Sequence, residues 1–176
     1  MISMPERREN DALRGAALRF ATGECSLGAI LVAVTEAGIA AIMLGDKPDI
    51  VLGDFHRRFP GARASGDLAQ TMARVIDFIE APSRGLDLPL DMRGTEFERQ
   101  VWRTLRAIPA GATASYRDIA GRIGAPQAAR AVAQACASNP TAVAVPCHRV
   151  VRSDGTLAGY RWGVERKRRL LAREAA

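Results

Sequence analysis

The chain has 176 residues, 48% hydrophobic and 25% charged, with a formal net charge of +6. That length allows one ample core or two small ones, and no apolar run approaches the roughly 18 residues that would mark a membrane span. Residues 1–92 hold 10 Lys and Arg against 13 Asp and Glu, while 93–176 hold 15 against 6, so an acidic half precedes a basic one. A basic half points to an anionic partner, nucleic acid first, although a solvated arginine-rich surface would have the same composition.

The opening MISMPERREN is polar and mixed in charge, without the apolar stretch of a secretory signal, and about residues 1–15 are predicted to be a disordered lead-in. Its initiator methionine favours a complete protein over a piece of a longer one. The runs Ile30–Val34 and Ile39–Leu44, separated by the turn signal at Glu36–Gly38, predict a hairpin. Asp49 to Phe59 reads as a short helix closed by Pro60-Gly61, with His56 exposed on it. In GDLAQTMARVIDFIEAP, Asp67 is the candidate N-cap, and Leu68, Met72, Val75, Ile76 and Ile79 share one helical face. LDLPLDMRG is extended, and Gly94 marks a boundary between domains 1–93 and 94–176. Residues 1–92 contain no catalytic constellation.

The second half is chiefly helical. Thr95-x-x-Glu98 is a capping box that starts a helix with Phe97, Val101, Leu105 and Ile108 inward, ended by Pro109 and Gly111. SYRDIAGRIG and APQAARAVAQACASN follow as two short helices joined at Gly124. Ser115 and Asp118 cap the first, and Pro126 suits the first turn of the second. Helix, glycine turn and arginine-bearing helix make a helix-turn-helix pattern, which many α-hairpins share. The last helix, Gly163 to about Arg173, turns ERKRR outward and Val164, Leu170 and Leu171 inward.

Cysteines at 25, 136 and 147 fit neither a disulfide framework nor a zinc spacing, so free thiols in a reducing cytoplasm are expected. Cys25 and Cys136 read as small buried hydrophobes. Cys147 is different, because His148 follows it in PCHRV. A thiol with a pKa near 8.5 needs a base or a positive neighbour to attack at neutral pH. Adjacent side chains on extended backbone diverge, so a direct Cys147–His148 bond needs a local turn or a bridging water. A carboxylate should orient the histidine, and Asp154 and Glu174 are both candidates. Hydrolysis, acyl transfer and alkyl transfer remain open on these residues alone.

NPTAVAVPCHRVVRSDGTLAGYRWGVERKRRLLARE, with FERQVWRTLRAIPAGATASYRDIAGRIGAPQAARAVAQACASNP before it, resembles the O6-alkylguanine-DNA alkyltransferases. Within that family it is most similar to the C-terminal half of the bacterial adaptive-response proteins. The likeness covers residues 94–176 and, more loosely, GAILVAVTEAGIAAIMLGD. It implies an α+β fold: a small ribonuclease-H-like α/β domain, then a helical winged-helix-like domain for DNA binding and catalysis. It also implies single-turnover repair, with Cys147 accepting the alkyl group of O6-methylguanine or O4-methylthymine, and His148 as base through a water. Glu174 would orient His148, Asn139 would hold the site, and Tyr116 would donate to the base.

The resemblance makes Arg130 the finger that fills the gap left by an extruded base, with Ser115, Tyr116, Gln127 and Ala129 also facing DNA. Cys136, Val150, Gly159, Tyr160 and Arg161 would line the substrate pocket. Many relatives carry a small hydroxyl residue where Arg161 stands. No metal or cofactor is implied. The partner would be double-stranded DNA containing O6-alkylguanine, met by a monomer in a bacterial cytoplasm, nucleoid-associated when bound. Three other readings compete: a non-catalytic alkylated-base-binding relative, which would lack the acceptor cysteine, a winged-helix regulator, and a cysteine hydrolase unrelated to DNA.

Overall fold

The computed structural model describes residues 18–176, so the expected lead-in at 1–15 lies outside the described residues. Strands β1 (Arg19–Cys25), β2 (Gly28–Thr35) and β3 (Gly38–Gly45) form an antiparallel meander, and β4 (Arg63–Ala64) adds to β1 in parallel. The sheet order is β3-β2-β1-β4. The expected hairpin is β2–β3, longer at both ends. β1 went unread because RFATGEC lacks a β-branched run, and Phe20 is its one buried side chain. At the β2–β3 turn, Gly38 has φ +146°, and a Cβ there would lie 2.4 Å from the Pro89 carbonyl oxygen.

β2 and β3 are apolar on both faces because both faces are covered. Side chains two apart share a face, so Ala29, Leu31 and Ala33 pack with Val51, Phe55 and Phe59 of the α1 region (helix Pro48–Arg58). Ile30, Val32 and Val34 point the other way, toward Met72, Val75, Phe78 and Ile79 of α2 (Ala69–Glu80) and toward the second half of the chain. Asp67 does not cap α2. A 3₁₀ turn at Gly66–Leu68 intervenes, Leu68 takes the N-cap position, and Asp67 instead accepts a hydrogen bond from Arg19 Nη1 at 2.5 Å. Ile76 is only half-buried, and Phe78 fills the inward face in its place.

α3 (Glu96–Arg106) and α4 (Tyr116–Arg122) both begin with complete capping boxes, Thr95/Glu98 and Ser115/Asp118. Phe97 is half-buried. Trp102 is buried instead, and its indole donates to Ala135 O at 2.9 Å. β5 (Ala114–Ser115) pairs in parallel with β6 (Val150–Val151). α5 is Ala129–Ser138, so Pro126 is not in its first turn. Ala125 N–H bonds back to Ala120 O and Ala128 N–H to Ala125 O, placing Pro126 and Gln127 in a tight turn before the helix.

α6 (Val164–Ala175) starts after Gly163, and its inward positions are Lys167, Leu170 and Glu174, three to four residues apart. Lys167 is therefore buried rather than outward, Val164 is 37% exposed rather than inward, and Leu171 is half-buried. The larger core cluster draws on both halves of the chain. Arg166 crosses between them to Leu27 O (2.7 Å) and Asp46 (2.7 Å), and Arg173 to Ile79 O (2.8 Å).

Candidate active site

The site begins at the free edge of the sheet. β3 leaves backbone groups unpaired on its outer side, and the loop after α5 takes them: Ile42 N–H donates to Pro140 O at 3.0 Å, and Ala142 N–H to Ile42 O at 2.9 Å. The same edge takes the linker, with Ile39 N–H on Pro89 O at 2.9 Å and Asp91 N–H on Ile39 O at 2.8 Å. Held there, the loop passes through Val143, whose φ of +67° is left-handed, a conformation costing a β-branched residue about 1–3 kcal/mol. It then closes into a 3₁₀ turn at Cys147–Arg149.

Asn139 ends α5 at its C-cap position and is fully buried. Its Nδ2 donates to Val145 O (3.0 Å), Thr141 O (3.3 Å) and Cys147 Sγ (3.4 Å), while its Oδ1 accepts from Thr141 N (2.8 Å). The side-chain amide thus braces the loop and donates to the thiol, while the backbone N–H of the same residue closes the helix on Cys136 O.

His148 is wholly buried, and its Nε2 lies 2.8 Å from Glu174 Oε1. Of the two carboxylates left open by the sequence, Glu174 is the one beside the histidine, whereas exposed Asp154 binds Thr156 in its own turn. Arg149 grips Glu174 through Nε and Nη2 (3.0 and 2.7 Å) and sends Nη1 to Ile108 O at 2.6 Å. The 3₁₀ turn does not join thiol to imidazole directly: His148 Nδ1 is buried without a hydrogen-bond partner among the described residues.

Burial would raise the Glu174 carboxyl, but hydrogen bonds from His148 and Arg149 outweigh it and hold the group down at about 2. Burial lowers His148, partly offset by Glu174, and raises Cys147 against the opposing pull of Asn139, Lys167 and Arg161. At neutral pH the resting state is a thiol, a neutral imidazole and an ionised carboxylate. That arrangement can accept the sulfur's proton as the sulfur attacks.

Residues 96–176 match the family model described as 6-O-methylguanine DNA methyltransferase, DNA binding domain. The chain is 52% identical over 162 residues to the bifunctional transcriptional activator/DNA repair enzyme Ada of Escherichia coli, spanning 90% of this chain and 46% of that protein. An inducible methylated-DNA–protein-cysteine methyltransferase of Bacillus subtilis is 38% identical over 144 residues, 80% of each chain. The crystal structure of Mycobacterium tuberculosis OGT in complex with DNA superposes with a TM-score of 0.74 at 33% identity, covering 89% of this chain and 92% of that one. The chain belongs to the methylated-DNA–protein-cysteine methyltransferase family. It spans about half the length of the first curated relatives it matches.

In this methyltransferase-family chain, Cys147 opens onto a pocket of about 450 Å³. It is lined by Tyr116 of α4, by Ala133, Cys136 and Ala137 of α5, and by Ala158, Gly159, Tyr160 and Arg161 of the segment before α6. Val150 is not a lining residue. It lies buried on β6 in the same apolar cluster as Cys147, and its carbonyl accepts from Lys167 Nζ at 2.6 Å. Tyr116 is half-buried, and burial pushes its hydroxyl up to about 12. Tyr160, similarly raised by burial, stacks edge-on to Trp162 at 5.4 Å, and its hydroxyl lacks a hydrogen-bond partner among the described residues.

Arg130, exposed, and Ala129 occupy the first turn of α5, with Gln127 in the turn before. Ser115 is buried, and its hydroxyl accepts from Asp118 N–H within the cap. Two residues of the site were missed from the sequence. Arg149, inside PCHRV, received no role, and Lys167 was hidden in an arginine-rich run. The spacing of Lys167 to Leu170 and Glu174 on one helix face was the signal that could have found it.

Proposed function

We propose that this chain repairs DNA directly, moving the alkyl group of O6-methylguanine, and of O4-methylthymine, onto Cys147 in a single turnover. The observation that carries the reading is a buried thiol at the wall of a base-sized pocket, backed by Asn139 and by a histidine–glutamate pair. The lesion lies inside a stacked base pair, so the nucleotide must be extruded, at a cost of a few kcal/mol. Arg130 at the tip of α5 would occupy the space it leaves, with Ala129, Gln127 and Tyr116 along the same DNA-facing surface, while buried Ser115 serves as the cap of α4 rather than as a DNA contact.

In the pocket, Cys147 Sγ attacks the alkyl carbon as the C–O6 bond breaks. The thiol proton passes to His148, through a water, and the imidazolium is stabilised by Glu174. The departing guanine carries the bonding electrons as an anion, which a hydrogen bond from the Tyr116 hydroxyl stabilises. Cys136, Gly159, Tyr160 and Arg161 shape the pocket around the base, and Val150 belongs to the apolar cluster that holds the cysteine. The product is a thioether, which has no good leaving path, so the protein is consumed.

The same reading would divide the chain into a ribonuclease-H-like α/β unit up to residue 93 and a winged-helix-like alkyltransferase unit over 94–176. The protein would act as a monomer on nucleoid DNA in a bacterial cytoplasm. Mixing increasing protein with a fixed amount of duplex carrying one O6-methylguanine tests the stoichiometry. Lesion lost should equal protein added and then stop. Continued loss beyond one equivalent, or binding with the lesion intact, would contradict the proposal.

A further inference from the structure

Beside the mouth of the lesion pocket lies a second, open pocket of about 350 Å³, lined by Asp54, Arg57, Arg58, Ser138 and Arg161. Arg161 borders both. The other two arginines come from the end of α1, in the acidic half of the chain, where the sequence held no site. Arg161 Nη1 donates to Ala137 O at 3.0 Å, and Arg58 donates to the next carbonyl, Ser138 O. Both therefore sit on the C-terminal end of α5, whose last turn has no basic residue of its own.

That helix end explains how two guanidiniums come to lie together, since its exposed carbonyls attract cations. It does not use them up. Each has five N–H donors, and the carbonyl bonds take one apiece. Of the nearby carboxylates, Glu98 Oε1 accepts from Ser138 Oγ at 2.6 Å, and Asp54 pairs with Arg57, occupying only part of that guanidinium's five donors. Burial, then repulsion from Arg161, lowers Arg58 to about 10, so the cluster holds positive charge at a cost.

We infer that Arg57, Arg58 and Arg161 form a phosphate site for the backbone of the DNA strand that delivers its base to the neighbouring pocket. The inference rests on the proposed function and extends the DNA surface onto the first half of the chain. A phosphodiester in this pocket would meet guanidinium forks on two sides and relieve their mutual repulsion. It would also give Arg161 a role in strand placement, where a small hydroxyl residue could contact only the base.

The test is the salt dependence of binding to an O6-methylguanine duplex, measured for the full chain and for Arg57→Gln, Arg58→Gln and the double variant. Each lost phosphate contact should lower the slope of log K against log salt by about 0.9. Exposed Arg57 bears no packing, so its variant stays informative if Arg58→Gln destabilises the fold. The ratio of transfer rates from the duplex and from free O6-methylguanine base should fall, because the free base has no phosphate. Unchanged slopes would overturn the inference, as would a lower melting temperature for Arg58→Gln with its slope intact, which would make the arginines helix caps only. The slope is read without chemistry, so the inference and the proposed transfer can fail separately.

Discussion

At the scale of single residues, the site depends on a few buried polar side chains and on the protein groups that hold them. Glu174 binds both His148 and Arg149. Glu174→Gln would leave Arg149 buried opposite a neutral amide, a loss of roughly 3–5 kcal/mol of stability, and would slow transfer by withdrawing the imidazolium's counter-charge. The pH dependence has a definite sign. The folded carboxyl sits near 2, below its ordinary 4.5, so its stabilisation is complete above about 4.5 and is lost as pH falls toward 2. Urea midpoints at pH 7 and pH 3 should differ for the natural chain and differ less for Glu174→Gln. Asn139→Ala removes the donors to Val145 O and Cys147 Sγ and should cost about 1–3 kcal/mol, read in the same titrations. Cys147 and His148 were legible because PCHRV is a specific motif. Lys167 and Arg149 were not, because a charge reads as solvated until helix phase or a buried carboxylate shows otherwise.

At the scale of elements, local chemistry was most legible where a side chain acts within one turn. Both capping boxes stood in the sequence as S/T-x-x-D/E and are present in full, since each needs only atoms three residues apart. Ser115→Ala should therefore lower stability by about 1 kcal/mol, seen as a lower melting temperature. The Asp67 cap failed because its carboxylate is taken by the Ser65 hydroxyl two residues back and by Arg19, 48 residues away, the second of which no local pattern contains. The start of α5 was misplaced for a similar reason, since Pro126 fits either a first helical turn or the tight turn that precedes one. β1 is held chiefly by a tight hairpin with β2 and β4 by its pairing with distant β1, and the sequences of β1 and β4 carry little strand signal of their own.

At the scale of the molecule, the first half does more than accompany the second. The β3 edge holds the loop leading to Cys147, and a single apolar cluster runs through both halves. Both tryptophans, Trp102 and Trp162, lie in the second half, while the four-stranded sheet and two of the helices lie in the first. Tryptophan fluorescence and far-UV circular dichroism should therefore report coincident urea transitions, whereas separated transitions would mean independently stable halves. This coupling could not be read from the sequence, where Gly94 looked like a boundary and the first half offered no catalytic group. Strand-edge pairing is made by backbone atoms, which leave no residue signature.

The proposed repair reaction requires that one sulfur, on Cys147, receive and keep the alkyl group. Peptide mass analysis after exposure to a duplex carrying O6-methylguanine tests it most directly. A single added methyl on the Cys147 peptide, absent from Cys25 and Cys136 and abolished by Cys147→Ser, is the predicted result. A folded, reduced sample whose Cys147 stayed unmodified, or whose methyl was found on another residue, would contradict it.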